Sequence, residues 1–493
     1  MLHPAIPPAV LEALRLAVDS ATPTHPTGLI TEPTQLRTYE CDGLTTFRTL
    51  PSAVLLPRTA EQVQAIIRIC AQHKIPFVAR GAGTGLSGGA LPAPGGIVIS
   101  FARMTRILSI DIPNQLVVVE PGVINSHVTD AVSAHGFFYA PDPSSQSVCT
   151  IGGNLAENAG GAHCLKYGFT TTHVLALDVV LPSGDLVTLG GSSPDAPGYD
   201  LTGVFVGSEG TLGVATKITL RITKRPETVQ VLLAAFDSIA AAAQTVSDII
   251  AAGLLPAALE IMDRLSAHAA EQAVHPNYPI CEALLLVELD GPAAEVSAQM
   301  REVETICRNN ASSEIRLAQT PADRALIWKG RKSAFAAVGR ISPNYIVQDG
   351  VIPRTALPLL LEAITALSAA AGLRVANVFH AGDGNLHPIV LYDRAIPNQE
   401  QTALDLSERI LHLCVDHGGS ITGEHGVGRE KQQSMGYMFS EPSLATMQLV
   451  RRAFDPHSLA NPDKLFPRPR LCAEPPGPYT PHPLELTIQA QFF

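Results

Sequence analysis

Apolar residues recur at helical spacing in two early stretches of the chain. One is residues 10–18. In the other, 60–73, Val63, Ile66, Ile67 and Cys70 fall at i, i+3, i+4 and i+7 behind Thr59, which suits an N-cap. Shorter apolar runs predict strands at 77–79, 96–100 and 115–120, and a helix at 124–135. A strand pair follows at 173–181 and 185–189, turning at Ser183-Gly184, and 204–222 reads as β-rich. The texture changes after Lys224-Arg225-Pro226. An alanine-rich helix is expected at 238–252, a strand at 283–289, a helix at 292–308, and strands at 346–352 and 375–379 flanking a helix at 355–371. Strands in this order can pair antiparallel, so the second half reads as a separate α+β domain. From about 426 the pattern is mostly helical, and seven prolines in 467–483 predict an extended tail. The expected divisions are a helical lead-in (1–49), a first domain (50–225), a second domain (226–425), a C-terminal helical segment (426–466) and a proline-rich tail (467–493).

Composition narrows the class. A chain of 493 residues implies two to four domains, and 46% apolar against 16% charged residues excludes a disordered bulk. Net charge is −11, with no basic block, which argues against a nucleic-acid groove. The eight cysteines show neither metal-knuckle nor redox spacing and read as reduced thiols. Asp237, Asp248 and Glu362 interrupt the most apolar stretches, and the N-terminus lacks the basic and apolar regions of a signal peptide. A cytoplasmic chain without a membrane span is therefore expected.

Glycine is abundant and clustered. Seven glycines fall between 81 and 96, directly after the strand at 77–79, in the run Arg80-Gly81-Ala82-Gly83-Thr84-Gly85-Leu86-Ser87-Gly88-Gly89. Glycines after a strand leave backbone N–H groups free to meet phosphate oxygens. Gly83, Gly85 and Gly88 spell G-x-G-x-x-G, but a dinucleotide fold needs a helix immediately afterwards. The continuation Ala90-Leu91-Pro92-Ala93-Pro94 cannot form one. Three later stretches are similarly small or rigid: Pro141-Asp142-Pro143-Ser144-Ser145; Thr150-Ile151-Gly152-Gly153-Asn154 leading to Glu157-Asn158-Ala159-Gly160-Gly161; and Gly207-Ser208-Glu209-Gly210-Thr211-Leu212-Gly213-Val214. Four such stretches within 135 residues point to a large cofactor lying close to backbone.

In this order, these motifs resemble the vanillyl-alcohol-oxidase-type (PCMH-type) FAD-binding domain. The resemblance implies a two-subdomain flavin domain with FAD held through Arg80, Gly81, Ala82, Gly83, Thr84, Gly85, Leu86 and Ser87. It also implies FAD contacts from Pro141, Asp142, Ser145, Thr150, Gly152, Gly153, Asn158, Gly160, Glu209, Gly213 and Val214. The first loop has no histidine, so the FAD is expected to be non-covalent.

A second constellation lies near the C-terminus. His380 and His387 flank Ala-Gly-Asp-Gly-Asn-Leu, and Asp383-Gly384 signals a tight turn between two apolar runs. A hairpin there would bring the histidines together, and Glu424-His425 offers a third group. Two histidines and a carboxylate suit Zn²⁺, Mn²⁺ or Fe²⁺ with coordination positions left for substrate. H-A-G-D-G-N-L-H-P and G-E-H-G-V-G-R-E-K resemble the site of FAD-dependent D-2-hydroxy acid dehydrogenases. That resemblance implies His380, His387 and Glu424 as metal ligands and His425, with a pKa near neutrality, as the base. Arg331, in Trp328-Lys329-Gly330-Arg331, would pair with the substrate carboxylate.

Members acting on a dicarboxylic hydroxy acid carry a lysine and an asparagine where this chain has Val347 and Ile389, which favours a short monocarboxylate. K-G-R-K-S-A-F at 329–335, V-G-R-I-S-P-N-Y at 338–345 and F-D-P-H-S-L-A-N-P-D-K-L-F at 454–466 extend the likeness to the FAD subunits of bacterial glycolate oxidases. The resemblance implies oxidation of glycolate or a similar short D-2-hydroxy acid by hydride transfer from Cα to flavin N5. Electrons would leave through a flavin-domain-like partner and an iron–sulfur partner rather than NAD, and the chain would be at most peripheral to a membrane. The alternative is a stand-alone D-lactate dehydrogenase. The 454–466 segment is expected to return to the flavin domain.

Overall fold

The computed structural model describes residues 6–19, 27–193 and 197–467. The proline-rich tail beyond 467 lies outside the described residues. Among the described residues the fold is α+β, built on three sheets and a minor two-stranded pair.

The first sheet orders Leu29–Ile30, Ala53–Leu55, Ile97–Ser100 and Phe77–Arg80, the last three parallel. Parallel neighbours need a crossover, and the helix Ala60–His73 lies in the connection from Ala53–Leu55 to Phe77–Arg80. Thr59 accepts a hydrogen bond from the Gln62 N–H at its start, and Val63, Ile66, Ile67 and Cys70 are fully buried. The lead-in helix Pro8–Val18 adds Val10, Leu14 and Val18 to the same core.

The second sheet is antiparallel, ordered Ile107–Asp111, Leu116–Val119, Val214–Arg221, Val174–Val180, Leu186–Gly190. The β-rich expectation for 204–222 holds only from Val214 onward. Asp200 caps a short helix, Leu201–Phe205, by accepting from the Gly203 N–H, and 206–213 is turn.

The third sheet has eight antiparallel strands. Its order is Ser312–Leu317, Thr228–Phe236, Ala283–Gly291, Ala258–Asp263, Arg374–His380, Asn385–Tyr392 and Asn344–Val347, with Gly350–Val351 also pairing the strand Asn385–Tyr392. Period-two alternation divides its faces. Leu232, Ala234 and Phe236 face the helices Ile239–Ala251, Ala293–Asn309, Leu357–Ala371 and Gln399–Asp416. Val231, Leu233 and Ala235 face Arg264–Val274 and Pro321–Val338. Among the described residues, Arg354–Ala371 is the one segment long and apolar enough to cross a membrane. It sets Leu357, Leu360, Leu361 and Ile364 into the core of this layer.

The C-terminal segment is less helical than its pattern suggests. Helices cover Met435–Met438 and Glu441–Phe454, whereas 426–434 and 455–466 are irregular. Gly426 and Gly428 take positive φ (83° and 52°), which interrupts a helix. Both irregular pieces return to the first half. Phe77 N–H donates to Leu459 O, Asn461 N–H donates to Phe77 O, and the Asn461 side chain donates to Gly89 O and Glu209 O. Arg429 N–H donates to Ser87 O.

Candidate active site

The strand Phe77–Arg80 runs straight into the glycine loop. A Cβ on Gly81 would stand 2.1 Å from Thr150 Oγ1, so only glycine fits. Gly83 (φ +72°) lies against the Arg80 guanidinium, which a Cβ would approach within 2.2 Å. The Thr150–Asn158 stretch is the short helix Ile151–Glu157, capped by Thr150 and ended by Asn158 in the left-handed region.

A cavity of about 300 Å³ begins at this loop. Arg80 through Leu86, Ser145, Thr150, Gly152, Gly153, Glu209, Gly213 and Val214 line it, and it extends to Phe335, Glu424 and His425. One continuous space thus joins the glycine loop to the histidine–carboxylate cluster. Arg80 Nη1, Asn154 Nδ2, Glu157 Oε2 and Ser208 Oγ belong to lining residues, are buried and have no hydrogen-bond partner within the chain. Such groups are costly to leave unpaired. They fit a large polar ligand such as FAD. Asn154, Glu157 and Ser208 were missed as candidates although they sit inside the glycine-rich motifs.

Five expected cofactor residues are not among the lining residues. Ser87 is buried, its carbonyl taken by Arg429 and Glu430 N–H groups. Pro141 O accepts from Asn125 Nδ2. Asp142 pairs with His163 (3.0 Å) and Lys332 (3.4 Å), and Asn158 Oδ1 accepts from Thr171 N–H. Gly160 packs beside Phe169 and Glu424. Glu209 lines the cavity, yet its carboxylate accepts Val427 and Gly428 N–H at 2.7 Å each, which fastens the returning C-terminal segment. Burial pushes its pKa up to about 7 against those two bonds.

At the far end the expected hairpin forms. Arg374–His380 pairs with Asn385–Tyr392, with Val378 opposite His387 and His380 opposite Asn385. The two imidazole centroids are 5.1 Å apart. Glu424 Oε1 lies 3.4 Å from His380 Nε2 and 3.1 Å from His387 Nε2. The other ring nitrogens are engaged elsewhere: His380 Nδ1 with Glu260 Oε1 (2.8 Å), His387 Nδ1 with Gln348 O (3.2 Å). Two Nε2 atoms and a carboxylate oxygen therefore converge with their partners behind them, as a His₂–carboxylate metal site requires. Burial would raise the Glu424 pKa, but the two imidazoles hold it well below the usual carboxylate range.

His425 stacks on His387, with centroids 5.0 Å apart and planes 15° apart. Its pKa is not near neutrality as expected. Burial pushes it down to about 4, with His387 and Lys431 reinforcing the shift against Asp349. Asp349, His387 and His425 also lie close enough to resemble a metal triad. Asp349, however, already accepts from Thr422 Oγ1 (2.6 Å), the Gly423, Glu424 and His425 N–H groups, and Lys431 Nζ (3.3 Å). Its role is to shape the loop that presents Glu424 and His425.

Arg331 sits on the helix Pro321–Val338, started by a Thr320–Asp323 capping box. It is buried, unlike its neighbours Lys329 and Lys332. It does not line the cavity, but its guanidinium is 5.9 Å from the ring centre of Phe335, which does. Its Nη2 lies 2.5 Å from Glu260 Oε2, a partner that sequence reading missed. Val347 and Ile389 are cross-strand partners, and both join the apolar cluster that includes Phe335.

This arrangement, with a glycine-lined cofactor cavity opening onto a carboxylate–histidine cluster, defines a flavin-dependent oxidoreductase. Residues 51–190 match the FAD binding domain family, and residues 225–465 match the FAD linked oxidases, C-terminal domain. The chain is 50% identical over 437 residues to glycolate oxidase subunit GlcD of Escherichia coli, covering 88% of each chain. It is 40% identical to the same subunit of Bacillus subtilis, covering 88% of this chain and 94% of that one. A mitochondrial D-lactate dehydrogenase [cytochrome] of Arabidopsis thaliana is 32% identical over 86% of this chain and 74% of that protein. The chain belongs to the FAD-linked oxidases, in the glycolate oxidase subunit GlcD family. Among solved structures, p-cresol methylhydroxylase shares the fold with a TM-score of 0.78 at 17% identity, over 93% of this chain and 96% of that one. Alkyldihydroxyacetonephosphate synthase does so with 0.71 at 17% identity, over 93% and 85%.

Proposed function

We propose that the chain is the flavin-carrying subunit of an enzyme that oxidises glycolate, or a similar short D-2-hydroxy acid, to the 2-oxo acid. The observation that carries this reading is the single cavity running from the Gly81–Leu86 loop to Glu424 and His425. The 50% identity to a glycolate oxidase subunit supports the substrate. FAD, bound non-covalently, supplies the acceptor for the two electrons of the Cα–H bond. His380, His387 and Glu424 would hold a divalent ion, which would supply Lewis acidity toward a bound hydroxy acid.

The chain's own residues orient and deprotonate. Arg331 Nε and Nη2 are both buried without a hydrogen-bond partner, and the edge they form would meet a substrate carboxylate. His425, neutral across the physiological range, takes the hydroxyl proton. Its Nδ1 is likewise buried without a partner. Val347 and Ile389 offer nothing to a second carboxylate, which favours a monocarboxylic substrate. Electrons leave through a flavin-domain-like partner and an iron–sulfur partner, and the chain works in the cytoplasm, reaching a membrane only through them. The name "subunit" carried by its relatives supports such an assembly.

The test is the visible spectrum before and after anaerobic addition of glycolate. Bleaching of the flavin band is expected; a colourless chain, or a flavin that stays oxidised, would overturn the reading. The D-lactate dehydrogenase relatives, at 32% identity, make D-lactate the comparison substrate. Chelation should abolish turnover while leaving the oxidised flavin spectrum in place.

A further inference from the structure

We propose that Glu260 is a positioning residue that builds the metal half and the carboxylate half of the site as one unit. The inference rests on the metal and substrate roles proposed above. Glu260 lies on the strand Ala258–Asp263, directly opposite His380 in the antiparallel register. Cross-strand partners share a face, so its side chain stands beside the His380 ring under the helix that carries Arg331. It is 1% exposed. One carboxylate oxygen is 2.8 Å from His380 Nδ1 and the other 2.5 Å from Arg331 Nη2.

The first contact selects the tautomer. A proton on His380 Nδ1, donated to Glu260, leaves the Nε2 lone pair directed at the position shared with His387 and Glu424. The second contact is an ion pair without hydrogen-bond geometry: it fixes the position of the guanidinium and leaves Nε and Nη2, both without a hydrogen-bond partner, for a ligand. One planar group with two acceptor oxygens thus spaces a metal ligand and a carboxylate anchor at a fixed separation. A 2-hydroxy acid, whose hydroxyl and carboxylate sit on adjacent carbons, requires such spacing. Glutamine at this position has the same shape but a single acceptor, so His380 and Arg331 must compete for it. The charged guanidinium attracts that oxygen more strongly than a neutral imidazole N–H and should win.

The experiment titrates the chain with Zn²⁺ against a chromophoric chelator, for wild type, Glu260→Gln and the double variant Glu260→Gln/Arg331→Met. Flavin absorbance and thermal melting are followed alongside. Glu260→Gln should weaken Zn²⁺ binding by about 10–100-fold and raise KM for glycolate more than it lowers kcat. The double variant frees the amide oxygen for His380, so Zn²⁺ affinity should recover toward wild type although substrate affinity does not. It also removes the unpaired buried cation, which guards against simple misfolding. Wild-type Zn²⁺ affinity in Glu260→Gln, or no recovery in a folded double variant, overturns the proposal and leaves the functional reading intact. A wild-type chain that binds no divalent ion overturns this proposal together with the metal role on which it rests.

Discussion

Replacing Asp349 by asparagine should be among the most damaging single-atom changes available in this chain. Asp349 is fully buried and accepts hydrogen bonds from Thr422 Oγ1, three successive backbone N–H groups at 423–425, and Lys431 Nζ. Lys431 is itself 1% exposed. Asparagine keeps one acceptor oxygen, removes the charge and turns an NH₂ toward a ring of donors. Breaking a buried ion pair by removing one partner costs about 3–5 kcal/mol, a large share of a total stability of about 5–15 kcal/mol. The reverse change, Lys431→Met, should cost less, because four donors still surround the carboxylate. In the double variant no cation is stranded, so it should be more stable than Asp349→Asn alone. Urea unfolding followed by circular dichroism measures all three, with wild type as reference. The reasoning fails if Asp349→Asn lies within about 1 kcal/mol of wild type, or if adding Lys431→Met to it recovers nothing.

Gly81→Ala places a methyl group 2.1 Å from Thr150 Oγ1, and overpacking of this kind costs about 1–3 kcal/mol. It should release FAD, read as flavin fluorescence in the filtrate, and Thr150→Ser should not rescue it because the oxygen remains. His425→Ala should lower the rate of flavin reduction by glycolate about 10²–10⁴-fold, while FAD content is unchanged; stopped-flow absorbance decides. Burial pushes the Lys464 pKa down to about 8. The unfolded chain therefore binds more protons between about pH 8 and the ordinary lysine value of about 10.4. Stability contributed by this group should rise across that window by about 1.4 kcal/mol per pH unit and be flat below it. Lys464→Met should remove that slope in pH-dependent denaturant midpoints.

Much of this architecture is legible along the chain because its signals are local. The helix at 60–73 appears as expected, because a capping threonine and a four-residue apolar stripe need no distant partner. The glycine loop is legible for a similar reason: seven glycines in sixteen positions mark a backbone that can be closely approached, and Arg80 through Leu86 line the cavity. The Asp383-Gly384 turn brings His380 beside His387, since hairpin register follows from turn chemistry and alternation. Errors arise where a local cap or glycine overrides a pattern, as at Leu201–Phe205 and at 426–434.

Residue chemistry and short-range order are thus written in the sequence: the α+β class, the glycine-rich motifs and the histidine–carboxylate types. Contacts between segments far apart in the chain come only with the fold. Glu260 meets Arg331 and His380 across 71 and 120 positions, and no spacing rule connects them. Glu209 fastens Val427 and Gly428 rather than standing free for a ligand. Asp349 is spent on the loop that presents Glu424 and His425, and burial in that packed site, absent from any linear motif, takes the His425 pKa from near neutrality to about 4. Local propensity acts over a few residues. Desolvation and charge pairing act through space, and only packing sets which distant groups share a low-dielectric interior.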